Sequence, residues 1–312
     1  MITPLNYHMR RDTKLKILIP VVTVMFFSAY AWHKHVQKED TITGYLGNKV
    51  MDETSGIAAS GVNEDIYYVH NDSGDTSRFF AIKPTGQLIS TIFFKGDKKE
   101  PLGVADCEDI AVGPGPVEGK SYVYVGDIGD NNSDRKYITV YRLAEQTAWA
   151  EENSIHTAPA VPIHFKYSDG PKDAETLMID PVERLIYIVS KRRDSVKVYT
   201  SPLIYKPNDT LVLTKRATLY FSGYKPFKWI TAGDISKDGT QVLLKNYEKV
   251  FYWQRKPNEH VWQTLLRKPR LLPYTMEKQG EGIGFTPDGK GYYCVSEGVF
   301  TPVYYYSIKN QD

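Results

Sequence analysis

The chain has 312 residues, with 39 lysines and arginines against 37 aspartates and glutamates. A net charge of +2 excludes the basic surplus that phosphate-backbone binding requires, so no nucleic-acid partner is expected. The two cysteines form no C-x-x-C or His-plus-Cys spacing, which argues against zinc, and both Cys107 and Cys294 fall in expected strands as buried, unpaired thiols.

At the N-terminus Arg10, Arg11, Lys14 and Lys16 precede an apolar run that ends at Trp32. Two readings fit. Ala29-Tyr30-Ala31 has the small-x-small pattern of signal cleavage. The length of the run, with Tyr30, Trp32 and His33-Lys34-His35 as interfacial flanks, fits an uncleaved membrane anchor better. Residues 1–40 are therefore expected to be a cytoplasmic basic stub, one transmembrane or signal helix and a short linker. Either reading exports residues 41–312 to a periplasmic or extracellular location, and the uncleaved anchor holds them on the outer face of the cytoplasmic membrane through the N-terminal helix.

Beyond that point two short signals alternate. The first is a small or acidic pair followed by apolar residues: Ser55-Gly56-Ile57, Glu108-Asp109-Ile110, Glu175-Thr176-Leu177, Gly233-Asp234-Ile235 and Glu281-Gly282-Ile283. The second is an apolar strand with a polar end, as in Tyr67 to Asp72, Val123 to Asp127, Tyr187 to Lys191, Val242 to Asn246 and Tyr293 to Glu297. Steps of 48 to 67 residues, each holding several short strands, predict an all-β fold of β-propeller type. Third strands are expected over Phe79 to Lys83, Tyr137 to Leu143, Val196 to Thr200, Val250 to Trp253 and Val303 to Ile308. Fourth strands are expected over Gln87 to Phe94, Val161 to Tyr167, Arg216 to Phe221 and Trp262 to Leu266. The last unit has none, and the strand-like segment Thr41 to Leu46 is expected to supply it. That makes five blades; six would require another unit within Ser201 to Lys228, where no acidic signal occurs. Helical character is confined to Ala144 to Asn153.

Because equivalent points of successive units form rings, the sequence can be read in columns. One column holds Ser55, Glu108, Glu175, Gly233 and Glu281, and the next holds Asp109 and Asp234. Two residues earlier stand Glu53, Asp106, Asp173, Thr231 and Gln279. The ends of the second strands contribute Asp72, Asp127, Lys191, Asn246 and Glu297. So many carboxylates at one mouth repel one another unless protonated, paired with Lys191 or Lys245, or bound to a cation. Oxygen donors of this kind suit Ca2+ or Mg2+. Glu108, Glu175, Glu281, Asn71, Asp109 and Asp234 are the expected metal ligands, and Asp72, Asp75, Asp127, Asp130, Lys191, Lys245 and Glu297 the expected ligand-binding residues. The bland alternative is that these acids cap turns and neighbouring strands. His70, beside Asn71 and Asp72, is the one histidine near the expected mouth and the candidate general base. Asp130-Asn131-Asn132-Ser133-Asp134 has D-x-N-x-D spacing, but Arg135 and Tyr141 stand where an EF-hand has glycine and glutamate.

In Glu281-Gly282-Ile283, Asp106 to Ile110 and His70 to Asp75, within a span from Glu53 to Ile308, the chain resembles exported bacterial propellers of the esterase-like phytase, gluconolactonase-like and NHL-like groups. For the lactonase-like group the resemblance implies a calcium ion held by Glu, Asn and Asp, at Glu108, Glu175 or Glu281 with Asn71, Asp127 and Asn246 here. That group has six blades, against the five counted. The expected function is a ligand- or partner-binding propeller with a cation-holding mouth. The alternative is a calcium-dependent hydrolase of phosphoesters or lactones.

Overall fold

The computed structural model describes residues 41–192, 195–205 and 210–309. Residues 1–40, with the expected membrane segment, lie outside the described residues, as does Arg193. Among the described residues, no helix is long and apolar enough to cross a membrane.

Strand β1 (Thr41–Tyr45) is followed by four consecutive strands, β2 (Thr54–Ala59), β3 (Tyr67–Asn71), β4 (Arg78–Ile82) and β5 (Leu88–Phe94), which pair in order as an antiparallel meander. The pattern repeats with β6 (Cys107–Pro114), β7 (Ser121–Asp127), β8 (Ile138–Ala144) and, after the intervening β9 (Ser154–Ala158), β10 (Ala160–Tyr167). A third meander comprises β11 (Ala174–Asp180), β12 (Leu185–Ser190), β13 (Val196–Pro202) and β14 (Thr210–Leu219). The fourth comprises β15 (Ile230–Ile235), β16 (Gln241–Asn246), β17 (Val250–Gln254) and β18 (Arg270–Leu272). The last has β19 (Gly280–Phe285), β20 (Gly291–Ser296) and β21 (Pro302–Ser307), and its fourth strand is β1, antiparallel to β21 with Thr41 opposite Tyr305.

The first strand of each meander, β2, β6, β11, β15 and β19, packs against the first strand of the next, and β19 packs against β2. Five apolar clusters fill the spaces between adjacent meanders, the last of them joining Tyr293, Val295 and Val303 to Ile57, Tyr67 and Val69. Each sheet is thus covered on both faces. Alternate residues of one strand serve different clusters: Tyr68 faces the second meander while Tyr67 and Val69 face the fifth. This is why Tyr67-Tyr68-Val69, Ile186 to Val189 and Val242 to Leu244 read as unbroken apolar runs. The arrangement, all-β with meanders set around a ring of inner strands, is that of a β-propeller.

Three details differ from the sequence-based expectation. Trp262 to Leu266 is not a strand: α1 (Val261–Leu265) occupies it, burying Val261, Thr264 and Leu265 at helical spacing, and β18 is the fourth strand instead. In Ala144 to Asn153 only Thr147–Ala150 is helical, as one 3-10 turn holding the buried Trp149. Strands β9 and β14 extend beyond their meanders by parallel pairing, β9 with β5 and β14 with β10, so the second and third meanders share one eight-stranded sheet.

Closure of the ring brings backbones into contact. A Cβ on Gly284 of β19 would sit 2.4 Å from the carbonyl oxygen of Ile57 in β2. Gly284→Ala must therefore push two inner strands apart, and an overpacking cost of about 1–3 kcal/mol is expected. Urea unfolding of the full chain checks this, and an unchanged midpoint would mean the strands are not held that closely.

Candidate functional site

All five inner strands carry a β-bulge at the same place. The pairing with the second strand slips between Thr54 and Gly56, Cys107 and Asp109, Ala174 and Thr176, Ile230 and Ala232, and Gly280 and Gly282. The inserted residues are Ser55, Glu108, Glu175, Thr231 and Glu281, and all are buried. A bulge turns its side chain out of the pleat and re-aims it. Three glutamates and two hydroxyls thereby form one ring, in which Ser55 Oγ donates to the Glu108 carbonyl (2.9 Å) and Thr231 Oγ1 to the Gly280 carbonyl (3.4 Å).

The bulges correct the column reading. In the fourth unit the equivalent of Glu108 is Thr231 rather than Gly233, a shift of two residues produced by aligning Gly-Asp-Ile with Glu-Asp-Ile. Asp234 consequently stands nearer the far end of its strand. Its Oδ1 accepts from the Ile235 amide and its Oδ2 from the Phe285 amide of the next inner strand, both at 2.8 Å. Asp109, two units away round the ring, does the same, accepting from Ile110 and from Leu177 of the next inner strand, both at 2.9 Å. These two acids are brackets between inner strands, and the structure does not bring them to the glutamate cluster. The second-strand column also mixes two levels: Asn71, Asp127 and Asn246 lie opposite the starts of the inner strands, with Asp72, Lys191 and Glu297 beyond the strand ends.

Two overlapping carboxylate groups form the centre. Single oxygens of Asp72, Glu108 and Glu281 lie within 4.8 Å of one another, as do those of Glu108, Asp173 and Glu175, so Glu108 belongs to both. Gly129 makes room for the loop above them, since a Cβ there would fall 2.2 Å from Glu108 Oε1 and 2.4 Å from Asp106 Oδ2. Lys191 Nζ reaches Glu175 at 2.7 Å and Glu281 at 4.0 Å. Glu281 also accepts from the Tyr247 hydroxyl, and Asp173 is paired with Arg192. Glu175 Oε2 is buried with no hydrogen-bond partner among the described residues.

Burial dominates the electrostatics. It pushes Asp72 up to about 7, Asp106 to about 6 and Glu297 to about 8, with neighbouring acids adding to each. Glu175 rises to about 8 by burial against the pull of Lys191, and Glu108 is driven well above the usual range by burial and then by Glu175. Burial lowers Lys191, but Glu175 and Glu281 outweigh it and keep the ammonium protonated.

Other expected residues are already occupied. Asp127 accepts from the Ala105 and Asp106 amides and pairs with Arg135 at 2.8 Å. Asp130 caps its own loop, accepting from the Asp134 and Arg135 amides. Asp75 is held by Arg78 (2.8 Å) and Asn71. Lys245 is fully buried, donating to the Gly280 carbonyl with Tyr274 4.7 Å away. Glu297 accepts from Gln279 at the exposed edge. Asn71 keeps a buried Oδ1 without a partner. His70 is buried, its Nδ1 2.7 Å from the Asn71 carbonyl oxygen and its Nε2 unpartnered; burial lowers it to about 4, so it is neutral at pH 7. Asp173 and Tyr247 were not among the expected ligands. Asp173 had a visible signal, since Asp173-x-Glu175 repeats Asp106-x-Glu108. Tyr247 had none.

No family model matches the chain, and no curated protein matches it. Among solved structures it is similar to hydrazine synthase of Kuenenia stuttgartiensis at 12% identity and a TM-score of 0.39, over 78% of this chain and 62% of that one. It is also similar to the Dos1 propeller at 14% identity and a TM-score of 0.38, over 83% of this chain and 68% of that one. The chain thus spans less than two thirds of the hydrazine synthase chain. Similarity at this level says nothing about ligand or reaction.

The raised carboxyls fix the sign of a pH effect. In the unfolded chain they release protons near pH 4; folded, Asp72, Asp106, Glu175 and Glu297 hold them to about 7, 6, 8 and 8. Between those limits the folded state binds more protons, so stability is greatest below the window and falls as pH rises through it. Urea midpoints in EDTA are expected to drop from pH 5 to pH 8, with a shallower drop in Glu175→Gln. A midpoint that rises over this range would show the carboxyls to be ionised and paired.

Proposed function

We propose that this protein is an exported five-bladed propeller, tethered by its N-terminal apolar segment, that binds a ligand or protein partner at a mouth holding a divalent cation, Ca2+ or Mg2+. The observation that carries the reading is Glu108 at the junction of two carboxylate triplets, with the buried, unpartnered Glu175 Oε2 beside it. Oxygen donors without thiol or imidazole favour a hard cation. The five bulges and five inter-sheet clusters support the blade count. Export and tethering rest on the basic flank and apolar run before Trp32.

A calcium-dependent hydrolase is the second reading, kept by the unpartnered Nε2 of His70. Its burial, at 1% exposure, and the absence, among the described residues, of a carboxylate partner on either ring nitrogen put it second.

Thermal unfolding of the full chain, first in EDTA and then with added calcium or magnesium, tests the site. A cation at a hundred times its Kd stabilises by about 2.7 kcal/mol, or roughly 5–10 °C for a domain of this size. The shift is expected to vanish in Glu108→Gln and Glu281→Gln and to persist in Asp109→Asn, whose oxygens hold amides. No shift with either cation removes the metal from the reading. Cation-dependent turnover of a phosphoester or lactone, lost in His70→Ala, would put the hydrolase first.

A further inference from the structure

A second opening lies at the other ends of the inner strands. Ala58, Val112, Ile179, Ile235 and Phe285, one from each of the five, line a cavity of about 330 Å³. Its rim is formed where those strands end and turn, with Gly61, Pro114, Pro181, Lys237 and Pro287 at equivalent positions. The volume and apolar wall are those of a small-molecule pocket. The polar groups of the wall are largely committed. Asp234 holds two backbone amides, Ser60 is bonded to Glu145, and Ser236 donates to Asp238.

The cations are different. Lys120 and Lys237 both line the rim, both are exposed, and neither takes part in an ion pair among the described residues. Lys237 is laid across the opening by the 3.4 Å contact of its Nζ with the Gly61 carbonyl, which belongs to a turn two units away round the ring. An apolar hollow capped by two ammonium groups that have no ion-pair partner among the described residues is complementary to a molecule with an apolar body and one anionic end.

We propose that this far cavity binds a small amphipathic carboxylate, its apolar body against Ala58, Val112, Ile179 and Phe285 and its carboxylate under Lys120 and Lys237. The site is separate from the acidic mouth, since Glu108 begins β6 while Val112 and Pro114 end it. The two can therefore be tested apart.

The probe is 3-phenylpropionate, titrated calorimetrically into the full chain in a nonionic detergent, with 3-phenylpropylamine as the charge-reversed control. Saturable binding of the acid and none of the amine is expected. Lys120→Gln with Lys237→Gln should weaken the acid roughly three- to tenfold, as for two partly exposed charge contacts. Val112→Phe, which fills the hollow, should weaken it further, and Lys98→Gln, at an exposed lysine that does not line the cavity, should leave it unchanged. The surface lysine pair cannot fail by unfolding the core, so the test does not depend on the filling variant. Equal binding of acid and amine, an affinity indifferent to the lysine pair, or no binding to the folded protein overturns the proposal.

Discussion

No meander of this chain can stand alone, because both of its faces are apolar. Tyr68, Phe79 and Ala81 are buried toward one neighbour while Tyr67, Val69 and Phe80 are buried toward the other. Removing either neighbour would expose several large side chains, each worth about 1.5–3 kcal/mol of burial. The sheets must therefore close into a ring, and closure is what draws the inner strands together until Gly284 abuts Ile57. The pairing of β1 with β21 completes the fifth sheet by joining the two ends of the described chain. Everything at the centre follows from this closure.

Closure also sorts the acids. Asp109 and Asp234 each tie an inner strand to the next by accepting two amides, and Asp127 and Asp130 hold loop amides in the same way. A hydrogen bond to a charged group contributes about 1.5–3 kcal/mol, and a buried amide left without its acceptor costs a similar amount. These four acids therefore already spend carboxylate lone pairs on backbone amides. The bulge glutamates are not committed in this way. Glu108 and Glu175 are buried among like charges with Lys191 as the nearest ammonium, an arrangement that is costly unless protons, the lysine or a cation offset it. The same inner strands thus brace the ring with one set of carboxylates and present another set to the mouth.

At the other end of the same strands the chemistry reverses. The bulge residues are acidic or hydroxylic, whereas the strand ends carry Ala58, Val112, Ile179, Ile235 and Phe285 under a lysine-bearing rim. Because every inner strand starts at one opening and finishes at the other, a single repeat element supplies both, and substitutions at one end need not disturb the other.

The architecture was legible in the sequence because it depends on local signals repeated at intervals. Turn residues, apolar runs and the Glu-Asp-Ile type of punctuation recur in every unit, and Glu108, Glu175 and Glu281 stood out as one column. What the sequence could not settle was register. A bulge is a one-residue event with no composition of its own, so Thr231 was hidden behind the better-looking Gly233-Asp234 pair. Nor does an aspartate announce whether its oxygens will meet amides or open space, since Leu177 lies 68 residues from Asp109 and Phe285 lies 51 from Asp234. The segment Val261–Leu265 became helical because its apolar residues meet the adjacent sheet at helical spacing, which its aromatic, β-branched composition did not reveal. By itself the sequence determined that the body is a closed repeat of short strands with an acidic centre. The tertiary structure alone decided which acids brace the ring, which converge at Glu108, and that an apolar cavity lies opposite, because those depend on contacts between strands some fifty residues apart.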